Sequence, residues 1–273
     1  MGELSGLRAL VTGGSSGIGA AIAMQLADRG ADLVLTARRK DALAETAAKC
    51  GSARPHLRPH LRVDVITGDL GKDFGPDAVW TAATAGGPID ILINCAGFGA
   101  FRGFAITDWS RDAEMIQLNM TSLVELTKRF LEQARPRGYI VNIASIGAYQ
   151  SVPNMALYAA SKAFVRNFTE GLHGELRGTG ISATCVCPGG TKTGFHEAAG
   201  AGDYSWIANA SMMTAERVAE TSVKAMLAKK RNVIPGLINK LSCFGVRLVP
   251  RAFASWFAQR VLGKPKLALP SRT

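Results

Sequence analysis

Thr12-Gly13-Gly14-Ser15-Ser16-Gly17-Ile18-Gly19 follows the apolar pair Leu10-Val11 and opens a segment in which Ile18, Ile22 and Leu26 recur at helical spacing before Gly30. Apolar residues three or four apart mark one face of a helix, and a glycine is a good stop for it. Leu33-Val34-Leu35 comes next, so the first unit reads strand, glycine turn, helix, strand. Further strand-like runs occur at Val63 to Ile66, Ile89 to Ile93, Tyr139 to Ile143, Ile181 to Val186 and Val233-Ile234, with helix-length amphipathic segments between them. Seven such runs predict an α/β fold in which a mostly parallel, doubly wound sheet is covered by helices on both faces. The chain has 273 residues, 47% of them hydrophobic, and no Pro/Gly/Ser linker, which favours a single domain. Gly51 to Pro59 reads as a loop rather than a boundary.

The glycine turn is suited to a phosphate. Gly13, Gly17 and Gly19 let the backbone approach a pyrophosphate, and the helix that follows offers free N–H groups and a positive dipole end. No GxxxxGK[ST] is present, which disfavours an ATP-hydrolysing P-loop. The second strand runs into Thr36-Ala37-Arg38-Arg39, without the Asp or Glu that would accept a hydrogen bond from the ribose 2′-hydroxyl of NAD. An arginine pair there suits a 2′-phosphate, with Arg38 as the first choice of ligand and Ser15 and Arg39 as helpers.

The second informative stretch is Tyr158-Ala-Ala-Ser-Lys162, with Ser145 thirteen residues upstream. On a helix the i, i+4 spacing puts the phenol and the ammonium on one face, where the cation favours the phenolate. At about 4 Å and an effective dielectric near 20, the attraction is roughly 4 kcal/mol, or some three pKa units before desolvation takes part of it back. That scale suits a tyrosine acting as general acid or base.

The glycine turn, Asn94-Cys95-Ala96-Gly97, Asn119, Ser145, Tyr158 and Lys162 follow one another in an order and at intervals that resemble the short-chain dehydrogenase/reductase family, from about residue 5 to about 235. The spacing TGxxxGxG is also that of this family rather than the more widespread GxGxxG. The resemblance implies a dinucleotide-binding and catalytic domain over residues 1–235, with residues 236–273 as a basic amphipathic extension of it. It also implies that Ser145 hydrogen-bonds the substrate oxygen, that Tyr158 transfers the proton, and that Lys162 lowers the tyrosine pKa and binds the nicotinamide ribose. Asn119 matches the asparagine that holds a relay water beside the lysine. The implied cofactor contacts begin with Gly13, Ser15, Ser16, Gly17, Ile18 and Gly19 of the turn, with Arg38 and Arg39. They continue with Asp69-Leu70 around the adenine, Asp64-Val65 being the weaker alternative, and with Asn94, Ala96 and Gly97, where Cys95 departs from the family's second Asn. Tyr158, Lys162, Pro188, Gly189, Thr191 and Thr193 complete the set at the nicotinamide. By family position the substrate would meet Phe98, Phe101, Ile146, Val152, Met155 and Phe195, with Gln150 as one polar handle, under a flap from Gly194 to Met213 that carries His196 and Tyr204.

Five cysteines without C-x-x-C spacing read as free thiols in a reducing cytoplasm, and His56, His60, His173 and His196 form no zinc signature, so no metal is expected. No signal peptide or spanning helix is evident. The net charge of +11 is unevenly placed: residues 221–273 hold 11 basic and no acidic side chains. Within this tail Phe253, Trp256, Phe257, Arg260 and Val261 form an apolar stripe with basic neighbours, suited to an anionic membrane surface or to packing on the protein's own core or a second subunit. No recognition motif accompanies the charge, so nucleic-acid binding is not expected. The combined reading is an NADP(H)-dependent oxidoreductase reducing a lipophilic ketone or 3-oxoacyl compound, in a homodimer or homotetramer. The alternatives are an NADP-linked alcohol dehydrogenase working oxidatively and a non-catalytic NADPH-sensing protein.

Overall fold

Arg8–Thr12 (β1), Ile91–Asn94 (β4) and Gly138–Ile143 (β5) are buried at every position, as strands covered on both faces must be. The structure, a computed structural model, describes residues 2–52, 61–133, 136–193 and 212–262. With Asp32–Ala37 (β2), Val63–Thr67 (β3), Ile181–Val186 (β6) and a short last strand at Asn232–Val233, they build a seven-stranded sheet. Its order runs β3, β2, β1, β4, β5, β6 and then the Asn232–Val233 strand. Every pairing in it is parallel, as the near-continuous apolar runs require.

The helices Gly17–Asp28 (α1), Lys40–Ser52 (α2), Gly75–Thr84 (α3), Trp109–Ile116 (α4), Ser122–Glu132 (α5) and Ala156–Glu175 (α6) cover the sheet together with Ala215–Leu227. Successive strand side chains point to opposite faces, and two cores result. Val11, Leu33 and Ile93 pack with Ile22 and Leu26 of α1 and with Val223 and Met226 of Ala215–Leu227. Leu10, Leu92 and Ile140 pack with Trp80 of α3, Phe130 of α5 and Leu172 of α6.

β1 has β2 on one side and β4 on the other, so the winding reverses there and a crevice opens beyond the carboxyl ends of these strands. The glycine turn, the Asn94–Gly97 turn and Ser145 all follow strands at that edge. Two local features differ from the sequence reading. Gly51 and Ser52 are the last residues of α2 rather than the start of a loop. Thr191–Lys192 (β7) also pairs in parallel with Met213–Thr214 (β8), tying together the ends of the segment read as a flap.

Candidate active site

The glycine turn is shaped by close approach. Gly13 has φ +69°, and a Cβ there would lie 3.0 Å from the backbone of Ala96; a Cβ on Gly19 would collide with the Gly13 carbonyl. Thr12, which the sequence reading passed over, locks the two turns together: its Oγ1 accepts from the backbone N–H of Cys95 and of Ala96, both at 3.0 Å, and donates to the Ile93 carbonyl. Cys95 therefore leaves the turn intact, and burial pushes its thiol up to about 12. Ser16 begins α1 in extended conformation and its side chain does not cap the helix, which leaves the first N–H groups at that end without the intrahelical partners that later residues have. An anionic group at these donors, with glycines that allow backbone approach, fits a dinucleotide pyrophosphate.

The two arginines part company. Arg39 Nη2 donates to Ser16 Oγ at 3.2 Å, which brings its guanidinium to the glycine turn, whereas Arg38 pairs with Glu114 of α4 at 3.0 Å. Arg38 is 61% exposed in that pair, so the bridge is a weak competitor for a phosphate. Glu114 lies 76 residues away and no local pattern points to it. Asp69 Oδ1 accepts from the Gly71 N–H at 2.9 Å, and Glu114 lies against Gly71, so Asp69-Leu70 and Arg38 border one end of the crevice. Asp64 is held instead by Arg8 and Arg62, at 2.9 and 3.0 Å, near the amino end of β3.

Asn94 turns its side chain away from the crevice. Its Nδ2 donates to Asn142 Oδ1 and Thr127 Oγ1, and Asn142 passes the chain on to Thr169. A contact between Asn94 and a cofactor thus falls to its backbone. Gly97 is next to two of the expected catalytic residues: a Cβ there would lie 2.9 Å from Asn119 Oδ1 and 3.4 Å from Lys162 Nζ.

Asn119 sits in a π-helical turn, Gln117–Thr121, between α4 and α5. Such turns re-aim a side chain that regular α-helix would place elsewhere. It is fully buried and makes three bonds: Oδ1 accepts from the Phe98 N–H, and Nδ2 donates to the Phe98 carbonyl and to Ser161 Oγ. Ser161 in turn donates to the Tyr158 carbonyl at 2.7 Å. Both amide hydrogens of Asn119 are thereby committed, which restricts it to accepting protons at Oδ1 or its main-chain carbonyl.

Lys162 lies on the same face of α6 as Tyr158, its Nζ 5.8 Å from the ring centroid. It is buried and donates to the Ile143 carbonyl at 2.9 Å, and burial lowers its pKa to about 8. The lysine is thus both charge and exchangeable proton near neutrality. Ser145 Oγ accepts from the Gly147 N–H at 3.1 Å, which fixes the hydroxyl while leaving its own hydrogen to donate.

The Pro188–Thr193 segment closes over the glycine turn. Pro188 accepts from the Ile146 N–H, Thr191 Oγ1 donates to the Gly189 carbonyl, and the Thr193 methyl is placed 3.0 Å from a Cβ built on Gly17. Gly189 is required because any Cβ would collide with the side chain of Asn239. Among the expected substrate neighbours Phe98, Phe101, Ile146, Gln150 and Met155 are half-buried, whereas Val152 is buried. Phe195, His196 and Tyr204 lie outside the described residues, as do residues 194–211 of the expected flap and His56 and His60. All five cysteines are free, and the described residues contain no group of His, Cys, Asp and Glu that could hold a metal and no helix long and apolar enough to cross a membrane.

A family model described as short chain dehydrogenase matches residues 8–204. An uncharacterized oxidoreductase of Staphylococcus saprophyticus is 34% identical over 230 residues, covering 83% of this chain and 93% of the relative. A Streptomyces violaceoruber protein named as ketoacyl reductase 1 of the granaticin polyketide synthase is 39% identical over 68% of both chains. Among solved structures, a short-chain dehydrogenase from Sphingobium yanoikuyae in complex with NADPH superposes with a TM-score of 0.75 at 30% identity, covering 89% of this chain and 94% of that one. The chain belongs to the short-chain dehydrogenase/reductase family. It is an oxidoreductase acting on CH–OH and C=O groups with a nicotinamide dinucleotide.

Proposed function

We propose that this enzyme reduces a lipophilic ketone or 3-oxoacyl compound at the expense of NADPH, in a homo-oligomer of a reducing cytoplasm. The observation that supports the catalytic part is the meeting of Asn119 and Lys162 beside Gly97, with the Tyr158 ring centroid 5.8 Å from Lys162 Nζ and Ser145 two residues beyond the Ile143 carbonyl to which Lys162 donates. A bound reduced nicotinamide supplies the hydride. Negative charge then develops on the carbonyl oxygen, and two hydroxyls meet it: Ser145 Oγ–H donates a hydrogen bond, and Tyr158 Oη–H transfers its proton. The Lys162 ammonium stabilises the phenolate left behind, and with a pKa of about 8 it can pass on a proton to restore it. Asn119 and Ser161 hold the start of α6 against the Phe98 backbone, so phenol and ammonium keep their register.

Arg39 at Ser16, Arg38 nearby and no acid at the end of β2 support a 2′-phosphate. Replacing both arginines with alanine is expected to weaken NADPH binding by about ten- to a hundredfold, the loss of one or two charge-assisted contacts, with NADH affinity unchanged. Equal loss for both nucleotides would remove the phosphate assignment. The half-buried Phe98, Phe101, Ile146 and Met155 support an apolar substrate. A hollow of about 690 Å³ on the outer faces of α5 and α6, lined in part by Met120, Val124 and Phe164, supports a subunit contact, since none of the site residues borders it. The test of the reaction is NADPH consumption with a panel of apolar ketones and 3-oxoacyl thioesters. Turnover with any of them supports the reading, and turnover only of alcohols with NADP⁺ reverses the direction.

A further inference from the structure

The helix Leu237–Gly245 is amphipathic the wrong way round for a helix that only packs on its own core. It turns Asn239 and Cys243 inward, 2% and 4% exposed, and presents Leu237, Leu241 and Phe244 to solvent at 72%, 60% and 59%. Leu248, one turn further on, is 73% exposed. The next helix, Arg251–Leu262, repeats the pattern: the small Ala254 and Ala258 are buried, while Phe253, Trp256 and Phe257 stay about half exposed. Scattered apolar residues are ordinary on a surface, but eight large ones on consecutive elements, Ile238 included, against a buried asparagine, mark a face that something covers.

Charge indicates what covers it. Lys240, Arg247, Arg251 and Arg260 stand exposed among these side chains, and residues 221–273 contain no Asp or Glu. Two copies of this face brought together would juxtapose cations with no acid from the segment to offset them, which disfavours self-association. An anionic bilayer complements both features: apolar side chains enter the acyl boundary while arginine and lysine remain at the phosphates. Arg260 already lies over the Trp256 ring, 4.9 Å from its centroid, with Phe253 5.6 Å from the same ring, as interfacial aromatic and basic residues group. We propose that residues 237–260 form a monotopic docking face for anionic membranes.

The face bears on the site described above. Asn239, on the buried side of the first helix, donates to the Pro235 carbonyl and fills the space beside Gly189, so the docking helix is seated directly on the Pro188–Thr193 segment. A lipophilic substrate would then be drawn from the surface on which the enzyme rests.

The test is sedimentation of the full chain with vesicles of phosphatidylcholine alone and with about a third phosphatidylglycerol, using wild type, L241E/F244E and K240Q/R247Q/R251Q. All changed positions are exposed, and unchanged melting temperature and NADPH binding confirm that each variant is folded. Wild type is expected on anionic vesicles only. Removing three charges should weaken binding by about a hundredfold, at roughly fivefold per cation near a charged surface, and L241E/F244E should abolish it. The proposal fails if folded wild type ignores anionic vesicles or if both variants bind like wild type. It fails too if L241E/F244E splits an oligomer while leaving vesicle binding intact, since a second copy then covers the face, or if the face captures only an acidic carrier protein.

Discussion

Tyr158→Phe is expected to lower kcat for carbonyl reduction by roughly a thousandfold, the scale of a lost general acid, while NADPH affinity stays within about twofold. The substitution removes only Oη. The ring keeps its place on α6 under the Lys162 ammonium, and the glycine turn, Thr12 and the arginines are untouched. In the proposed mechanism Ser145 still donates to the substrate oxygen, so a residual rate is expected to survive. Single-turnover oxidation of NADPH, with binding followed separately by nicotinamide fluorescence, separates the two effects. A variant that keeps its kcat would move the proton donor elsewhere and leave Tyr158 as packing.

Lys162→Met should abolish turnover and make the protein more stable. Burial lowers the lysine pKa from 10.5 to about 8, so the native state carries a charge the unfolded chain hydrates more readily. Below pH 8 the lysine is protonated in both states and the cost is fully present, about 3–4 kcal/mol. Between pH 8 and 10.5 the unfolded state binds more protons, wild-type stability rises relative to the variant, and the difference closes. The lost bond to the Ile143 carbonyl returns about 1 kcal/mol, which leaves a net gain of about 2–3 kcal/mol for the methionine at pH 7. Melting curves at pH 7 and pH 10 should show the variant a few degrees higher at the first and level at the second. A variant less stable at pH 7 would mean that Lys162 is held by favourable partners rather than against burial.

The order of the seven main strands' apolar runs was legible because buried parallel strands write themselves as apolar runs, and the glycine turn because a Cβ at Gly13 or Gly19 has no room. Boundaries shifted by a residue or two, as at Gly51-Ser52. Less legible were partners chosen by three-dimensional proximity. Thr12 looks like the last residue of a strand, yet it clamps the Asn94–Gly97 turn. Glu114 takes Arg38, and Asn239 seats against Gly189; each pairing spans 50 or more residues. Asn94 is the reverse case, its position beside the cofactor turn suggesting a ligand while its amide serves the chain to Asn142 and Thr169. The π-helical turn under Asn119 has no sequence signature at all. The stripe at Phe253, Trp256 and Phe257 was read without its orientation, because a stripe of apolar residues does not say which side of it the body occupies, and the inverted Leu237–Gly245 helix was not singled out at all.

The most direct test of the cofactor assignment is titration of the purified protein with NADPH and with NADH, followed by nicotinamide fluorescence. NADPH should bind at least tenfold more tightly than NADH. Equal or tighter binding of NADH would contradict the reading of Arg38 and Arg39 and, with it, the reductive direction proposed for the enzyme.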